Sequence, residues 1–158
     1  MRWLKLLFYS FLILVIQTVI FPRLNLFGAV PDLVLISVVV FAILEERNRA
    51  TLFSASLGLV QDLLSVGMFL NTATKVLISI IAGNSREEFA GDPSALAAGL
   101  VAIFTPAALL AEALILYLFA HNHFAPGSVF LRIVLTTIYN LILLPIVFPL
   151  LQMAASDE

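Results

Sequence analysis

The chain has 158 residues, of which 62% are apolar and 11% are charged, whereas a soluble domain is about 45–50% apolar and about 25% charged. A soluble fold of this length would leave much apolar surface exposed, so the composition predicts an integral membrane protein. A net charge of −2 without a basic cluster argues against a nucleic-acid partner, and the absence of cysteine excludes disulfides and thiolate metal ligands.

Apolar runs separated by short polar segments predict an all-α fold, with about six transmembrane helices in one bundle. The predicted helices cover residues 6–21, 31–44, 50–64, 71–82, 95–119 and 129–153. No linker is long enough to separate domains, so residues 1–158 are predicted to form a single transmembrane domain.

Prolines and charges mark the ends of the first helices. Pro22 is expected to end the first helix because proline lacks the N–H that continues the hydrogen-bond ladder. Pro31 is expected to open the second helix, with Asp32 in its first turn facing the positive end of the helix dipole. The charged segment 45–49 is predicted to form the turn that follows.

Later in the chain, the link around Gly67 is predicted to be either a tight hairpin or a bent, partly re-entrant element. The polar segment 84–94 is predicted to be a loop. Pro106 is expected to kink the fifth helix, and Pro145 to bend the last third of the sixth.

Basic residues predict the orientation of the six spans. With the N-terminus in the cytoplasm, the cytoplasmic segments hold Arg2, Lys5, Arg47, Arg49 and Arg86, whereas the outer segments hold Arg23 and Arg132. The positive-inside rule therefore predicts that both termini are cytoplasmic.

Polar residues within the predicted spans form the candidate functional cluster. A charge within a bilayer costs on the order of 3 kcal/mol on insertion scales and therefore needs a partner or water. Asp62, Lys75 and Glu112 are all expected in the outer half of the membrane, where Lys75 would pair with Asp62, with Glu112 or with both. Asn71 and Asn140 are the uncharged members of this cluster, whose role is structural or partner-binding.

Small residues spaced four apart predict close helix contacts. Ser54 and Gly58 share one face of the third helix, and Gly99 lies on a face of the fifth with Ala95 and Ala102. Such faces let another helix approach closely, either within the bundle or from a partner protein.

Catalytic and metal-binding motifs are missing from the sequence. No nucleophile or zinc motif occurs, and His121 and His123 lack a metal-ligand pattern. Asp62 and Glu112 could form an acid/base pair, but a lysine at the same depth more simply neutralises them. We therefore expect no catalytic, cofactor or metal site and no enzymatic activity.

Three segments together resemble the rod shape-determining protein MreD family. The first is Pro-Asp-Leu-Val-Leu-Ile at 31–36, the second is Gly-Leu-Val-Gln-Asp-Leu-Leu-Ser at 58–65, and the third is Thr-Thr-Ile-Tyr-Asn at 136–140, followed by Pro145. Their order, the span count and the short loops are similar to those of that family over essentially the whole chain.

The resemblance implies a scaffold without enzymatic activity in the bacterial inner membrane, as part of the cell-elongation machinery that directs peptidoglycan synthesis. Its implied partners are the single-span coiled-coil protein MreC, the synthase of RodA and a class B penicillin-binding protein, and the MreB filament. The family is similar in fold to the substrate-binding subunits of energy-coupling-factor transporters. A substrate-binding membrane subunit of a vitamin-type transporter is therefore the alternative function.

Overall fold

Six α-helices make up most of the structure, a computed structural model that describes residues 2–25, 27–65, 69–120 and 126–156. They are α1 (Arg2–Val15), α2 (Leu33–Leu44), α3 (Arg47–Leu64), α4 (Leu70–Glu88), α5 (Pro93–Ala120) and α6 (Pro126–Ala155). The predicted all-α class is confirmed. Three segments are long and apolar enough to cross a membrane, namely Trp3–Arg23, Pro93–Phe119 and Pro126–Ala155.

Helix α2 is the central element of the fold. Eleven of its twelve residues are buried, as expected of a helix that is apolar on all sides. It contacts each of the other five helices, which surround it in the order α1, α3, α4, α5, α6 and back to α1. Its buried Ser37 hydroxyl donates to the carbonyl of Leu33 and lies 2.8 Å from the Tyr9 hydroxyl of α1.

The helices alternate in direction, so α1, α3 and α5 end where α2, α4 and α6 begin. We call this end of the molecule the Pro31 end. Residues at or near these helix ends line one cavity there, and α1 begins and α6 ends on the opposite side.

The end of the first helix differs from the prediction. The α-helix stops at Val15 rather than at residue 21, and a π-helix (Ile16–Ile20) and a 3₁₀-helix (Phe21–Leu24) continue it past Pro22. Gln17 lies in the π-helix. Its Nε2 donates to the Pro31 carbonyl at 2.9 Å, and its Oε1 accepts from the Leu33 N–H at 2.8 Å. The π-helix therefore places an amide that satisfies backbone groups at the start of α2.

The structure describes only the two ends of the link between α3 and α4. Phe69 precedes α4 with a φ of 55° in the left-handed region, while Gly67, predicted to lie in a hairpin or re-entrant turn, is outside the described residues. Helix α4 continues to Glu88, so the predicted loop from residue 84 is wrong in its first half.

Turns at the end opposite Pro31 lie close to one another. Arg86 Nη1 donates to the Glu45 carbonyl at 2.8 Å, which joins the end of α4 to the end of α2. Before α5, Asp92 accepts from the hydroxyl and the N–H of Ser94. These hydrogen bonds, the hydroxyl one first, hold the pKa of the exposed Asp92 carboxyl below its usual range.

The expected first position of α2 is also corrected. Asp32 is the N-cap rather than a residue of the first turn, because its Oδ1 accepts from the Leu35 N–H at 2.8 Å. Pro106 and Pro145 lie inside α5 and α6, which continue past them.

Candidate functional site

An open cavity of about 550 Å³ lies at the Pro31 end. Helix α2 has 12 residues whereas α5 has 28, which correspond to lengths of about 18 and about 42 Å. Because the central helix is the shorter one, the surrounding helices enclose a space beyond its first residue. Side chains of the π-helix and of α3, α4, α5 and α6 line this space.

The floor of the cavity holds a close ion pair between α4 and the start of α2. Lys75 Nζ lies 2.8 Å from Asp32 Oδ2, and the lysine side chain is only 3% exposed. The prediction that Lys75 pairs with Asp62 or Glu112 is therefore wrong. Asp32 was expected to act only at the start of a helix, whereas it both caps α2 and neutralises Lys75.

Asn140 on α6 makes hydrogen bonds beside this ion pair, to the start of α2 and to α5. Its Oδ1 accepts from the Asp32 N–H at 2.8 Å, and its Nδ2 donates to Thr105 Oγ1 of α5 at 3.0 Å. The side chain is completely buried. Asp32, Lys75, Thr105 and Asn140 thus join four helices in one hydrogen-bonded network.

Asp62 performs a different task from the one predicted. Its Oδ1 accepts from the N–H and the side-chain amide of Asn71, and its Oδ2 accepts from the N–H and hydroxyl of Thr72, at 2.6 to 3.1 Å. Phe69, the residue before α4, offers no side-chain cap. A carboxylate on α3 therefore caps α4, and Asp62 is satisfied without Lys75.

Glu112 lies on the wall of the cavity and pairs with Arg132 rather than Lys75. Arg132 Nη2 is 3.4 Å from Glu112 Oε1 and 3.5 Å from Oε2, and the two side chains are 44% and 38% exposed. A strong charge-assisted hydrogen bond is about 2.7–2.9 Å long. This pair is accordingly loose and can be rearranged.

Arg132 and Gln61 line the cavity but were not among the predicted site residues. Arg132 was counted with the outer segments in the charge rule, but it lies in α6 and lines the cavity. Gln61 lines it from α3, and its Oε1 is buried without a hydrogen-bond partner among the described residues. The one sequence feature that pointed to Gln61 was its position directly before Asp62 in the segment 58–65.

The residues that carry the family resemblance meet at this site. Asp32, Asp62 and Asn140 come from three separate segments, and each fixes the start of a helix there. No protein-family model, curated protein or solved structure matches the chain. The function must therefore be argued from the motifs and the geometry.

The two faces of small residues have different surroundings. A Cβ atom on Gly58 would lie 2.6 Å from Thr72 Cα, so α4 closes this face. Ser54, on the same face, is buried and donates to the Ala50 carbonyl. In contrast, a Cβ on Gly99 would meet no atom within 4 Å, so this face of α5 is open.

The site can recognise charge and donate hydrogen bonds. Lys75, Arg132, Asp32 and Glu112 supply both signs of charge around one cavity. In the described ranges, no group of three or more His, Cys, Asp or Glu side chains is placed to hold a metal ion.

Proposed function

We propose that this protein is a scaffold without enzymatic activity in the bacterial inner membrane, which binds an MreC-like single-span partner within the cell-elongation machinery. One observation carries the proposal, which is the open face of α5. Through that partner the scaffold would help to organise the RodA–class B penicillin-binding synthase near the MreB filament.

The open face is a stripe of mostly small residues along α5. Its members follow one another at a spacing of four and are all exposed: Ala95, Gly99, Ile103, Ala107 and Ala111. Small residues at this spacing are typical of helix pairs in membranes, because they let two backbones approach closely. Since nothing in the described chain covers Gly99, a partner's helix has room to pack there.

The motif residues give further support. Asp32 and Asn140 are far apart in sequence but are joined by a hydrogen bond, and Asp62 caps α4. Residues that together position the starts of α2 and α4 have a physical reason to recur in one family, which favours the resemblance to MreD proteins over a chance match.

The proposed membrane arrangement has six spans, a fold similar to the substrate-binding subunits of energy-coupling-factor transporters, and both termini in the cytoplasm. Helix α2 is shorter than the roughly 30 Å of a hydrocarbon core. It can still be one of the six spans because the other five helices surround it and separate it from lipid. The Pro31 end would then face the periplasm, where the coiled coil of the partner lies.

The proposal is tested by recovering partners from the native membrane with in-cell crosslinking, mild detergent and mass spectrometry. We compare the wild type with Gly99→Leu, and use Ala73→Leu as the matched control because Ala73 is an exposed alanine on α4. The wild type and the control should recover a single-span coiled-coil protein together with wall-synthesis enzymes, whereas Gly99→Leu should lose them without losing thermal stability.

Two results would contradict the proposal. Recovery of a nucleotide-hydrolysing transporter module would favour a transporter's substrate-binding subunit instead. Full recovery of the partner by Gly99→Leu would exclude the open face of α5 as the docking surface.

A further inference from the structure

We propose that the cavity at the Pro31 end binds a phosphoethanolamine group, a zwitterion that carries a phosphate and a primary ammonium. This site is independent of the scaffold role and needs only the membrane location. Hydrogen-bonding atoms on the cavity lining that lack partners among the described residues support it.

Lys75 supplies hydrogen-bond donors on the floor. An ammonium group has three N–H donors, and among the described residues Asp32 Oδ2 is its one acceptor. The side chain is 3% exposed and lines the cavity, so bulk water does not readily satisfy the other two donors. Buried donors without acceptors are unfavourable, and phosphate oxygens would satisfy them.

Acceptors for an ammonium lie on the surrounding walls. Gln61 Oε1 is buried without a donor among the described residues, and the hydroxyl of Thr74 also lines the cavity. Glu112 is held only by the loose contact to Arg132. If that pair parts, Arg132 can bind a phosphate through two N–H groups, and Glu112 can bind the ammonium.

The charge balance favours a zwitterion over a simple ion. Among the described lining residues, Lys75 and Arg132 are balanced by Asp32 and Glu112. Asp62 is not among the residues that line the cavity, because both of its oxygens accept hydrogen bonds from the start of α4. A ligand of one sign would leave an excess of that sign, whereas a neutral molecule with both charges complements the site.

Size and position favour a phospholipid-type group. The cavity of about 550 Å³ lies within the range of roughly 300–1,000 Å³ for small-molecule sites. Residues near the end of α5 and the start of α6 line it, and an end of a membrane bundle is where lipid headgroups are expected. Apolar side chains also line it and would contact glycerol or acyl carbons: Leu64, Leu70, Leu109, Ile115 and Leu116.

The experiment measures lipid binding to the purified full-length protein by native mass spectrometry and by thermal shift in detergent. Three lipids with identical acyl chains serve as probes, namely phosphatidylethanolamine, phosphatidylcholine and phosphatidylglycerol. Choline has no N–H to donate to Glu112 or Gln61, and glycerol has no positive charge. We expect phosphatidylethanolamine to bind at least about tenfold more tightly than either, as for loss of one hydrogen bond to a charged group.

Variants then assign the preference to the cavity. Glu112→Gln should reduce the preference for ethanolamine over choline about tenfold, whereas Glu88→Gln, an exposed carboxylate at the opposite end of α4, should leave it unchanged. Arg132→Gln should weaken both zwitterionic lipids. These variants leave the Lys75–Asp32 pair intact, so that the test does not depend on a change that prevents folding.

The source of the group is distinguished by competition with soluble glycerophosphoethanolamine. Displacement of the lipid at equal concentration shows that the headgroup alone binds, and displacement only at large excess shows that the acyl chains contribute. Both results support the site. Equal binding of the three lipids, or an unchanged preference in Glu112→Gln, would overturn it.

Discussion

Two regions of the molecule share one sequence pattern and differ in structure. In what we call the closed region, α4 packs against α2 and α3, and Gly58 lies against the backbone of Thr72. On the outer face of α5, Gly99 also has a small residue four positions earlier, Ala95, but a Cβ on Gly99 would meet no atom of the described chain within 4 Å. Small residues permit a close contact, and the tertiary structure decides whether the chain itself makes it.

The largest effect is expected from removing the charge that neutralises Lys75 in the closed region. Asp32→Asn should lower the free energy of unfolding by about 3–5 kcal/mol, because it leaves a buried ammonium unpaired. Thermal unfolding in mild detergent measures this. The double variant Asp32→Asn/Lys75→Met should recover part of the loss, and no recovery would show that the two side chains act independently.

The next effect concerns the cap that α3 provides to α4. Asp62→Ala should destabilise the protein by about 2–3 kcal/mol, since the N–H groups of Asn71 and Thr72 lose their acceptor in a part-buried site. Asp62→Asn keeps the shape but removes the charge and two acceptor sites, so we expect an intermediate loss in the same unfolding assay. A stability equal to that of the wild type would refute the capping role.

Gly58→Ala tests the closeness of the α3–α4 contact directly. The new methyl group would lie 2.6 Å from Thr72 Cα, and overpacking of this kind costs about 1–3 kcal/mol. The expected result is a lower unfolding temperature with an unchanged helix content by circular dichroism. An unchanged unfolding temperature would mean that α4 can shift without loss.

The smallest effect is expected on the open face. Gly99→Ala adds a methyl group into free space and should stabilise α5 by up to about 1 kcal/mol through helix propensity. This variant is the matched control for Gly58→Ala, because the substitution is identical and only the surroundings of the glycine differ. Destabilisation by Gly99→Ala would show that this face is also closed.

Much of the polar cluster could be identified from the sequence, but its pairing could not. Asp62, Lys75 and Asn140 were selected because polar side chains in apolar helices need partners. Placing residues at a common depth along separate helices does not determine which faces meet, and Lys75 faces α2 while Asp62 faces the start of α4. Glu112 lies closer to Arg132, which was counted with the outer segments although the predicted sixth helix covered it.

Composition and apolar periodicity determined the all-helical class and three of the described segments that are long and apolar enough to cross a membrane, because those properties depend on each residue's own transfer free energy. Only the tertiary structure decided that the shortest apolar helix is the central one, that Gly58 is closed and Gly99 open, and that Lys75 pairs with Asp32. Each of these depends on how helices far apart in sequence rotate and shift against one another. That rotation and shift are set by the packing of all their side chains together.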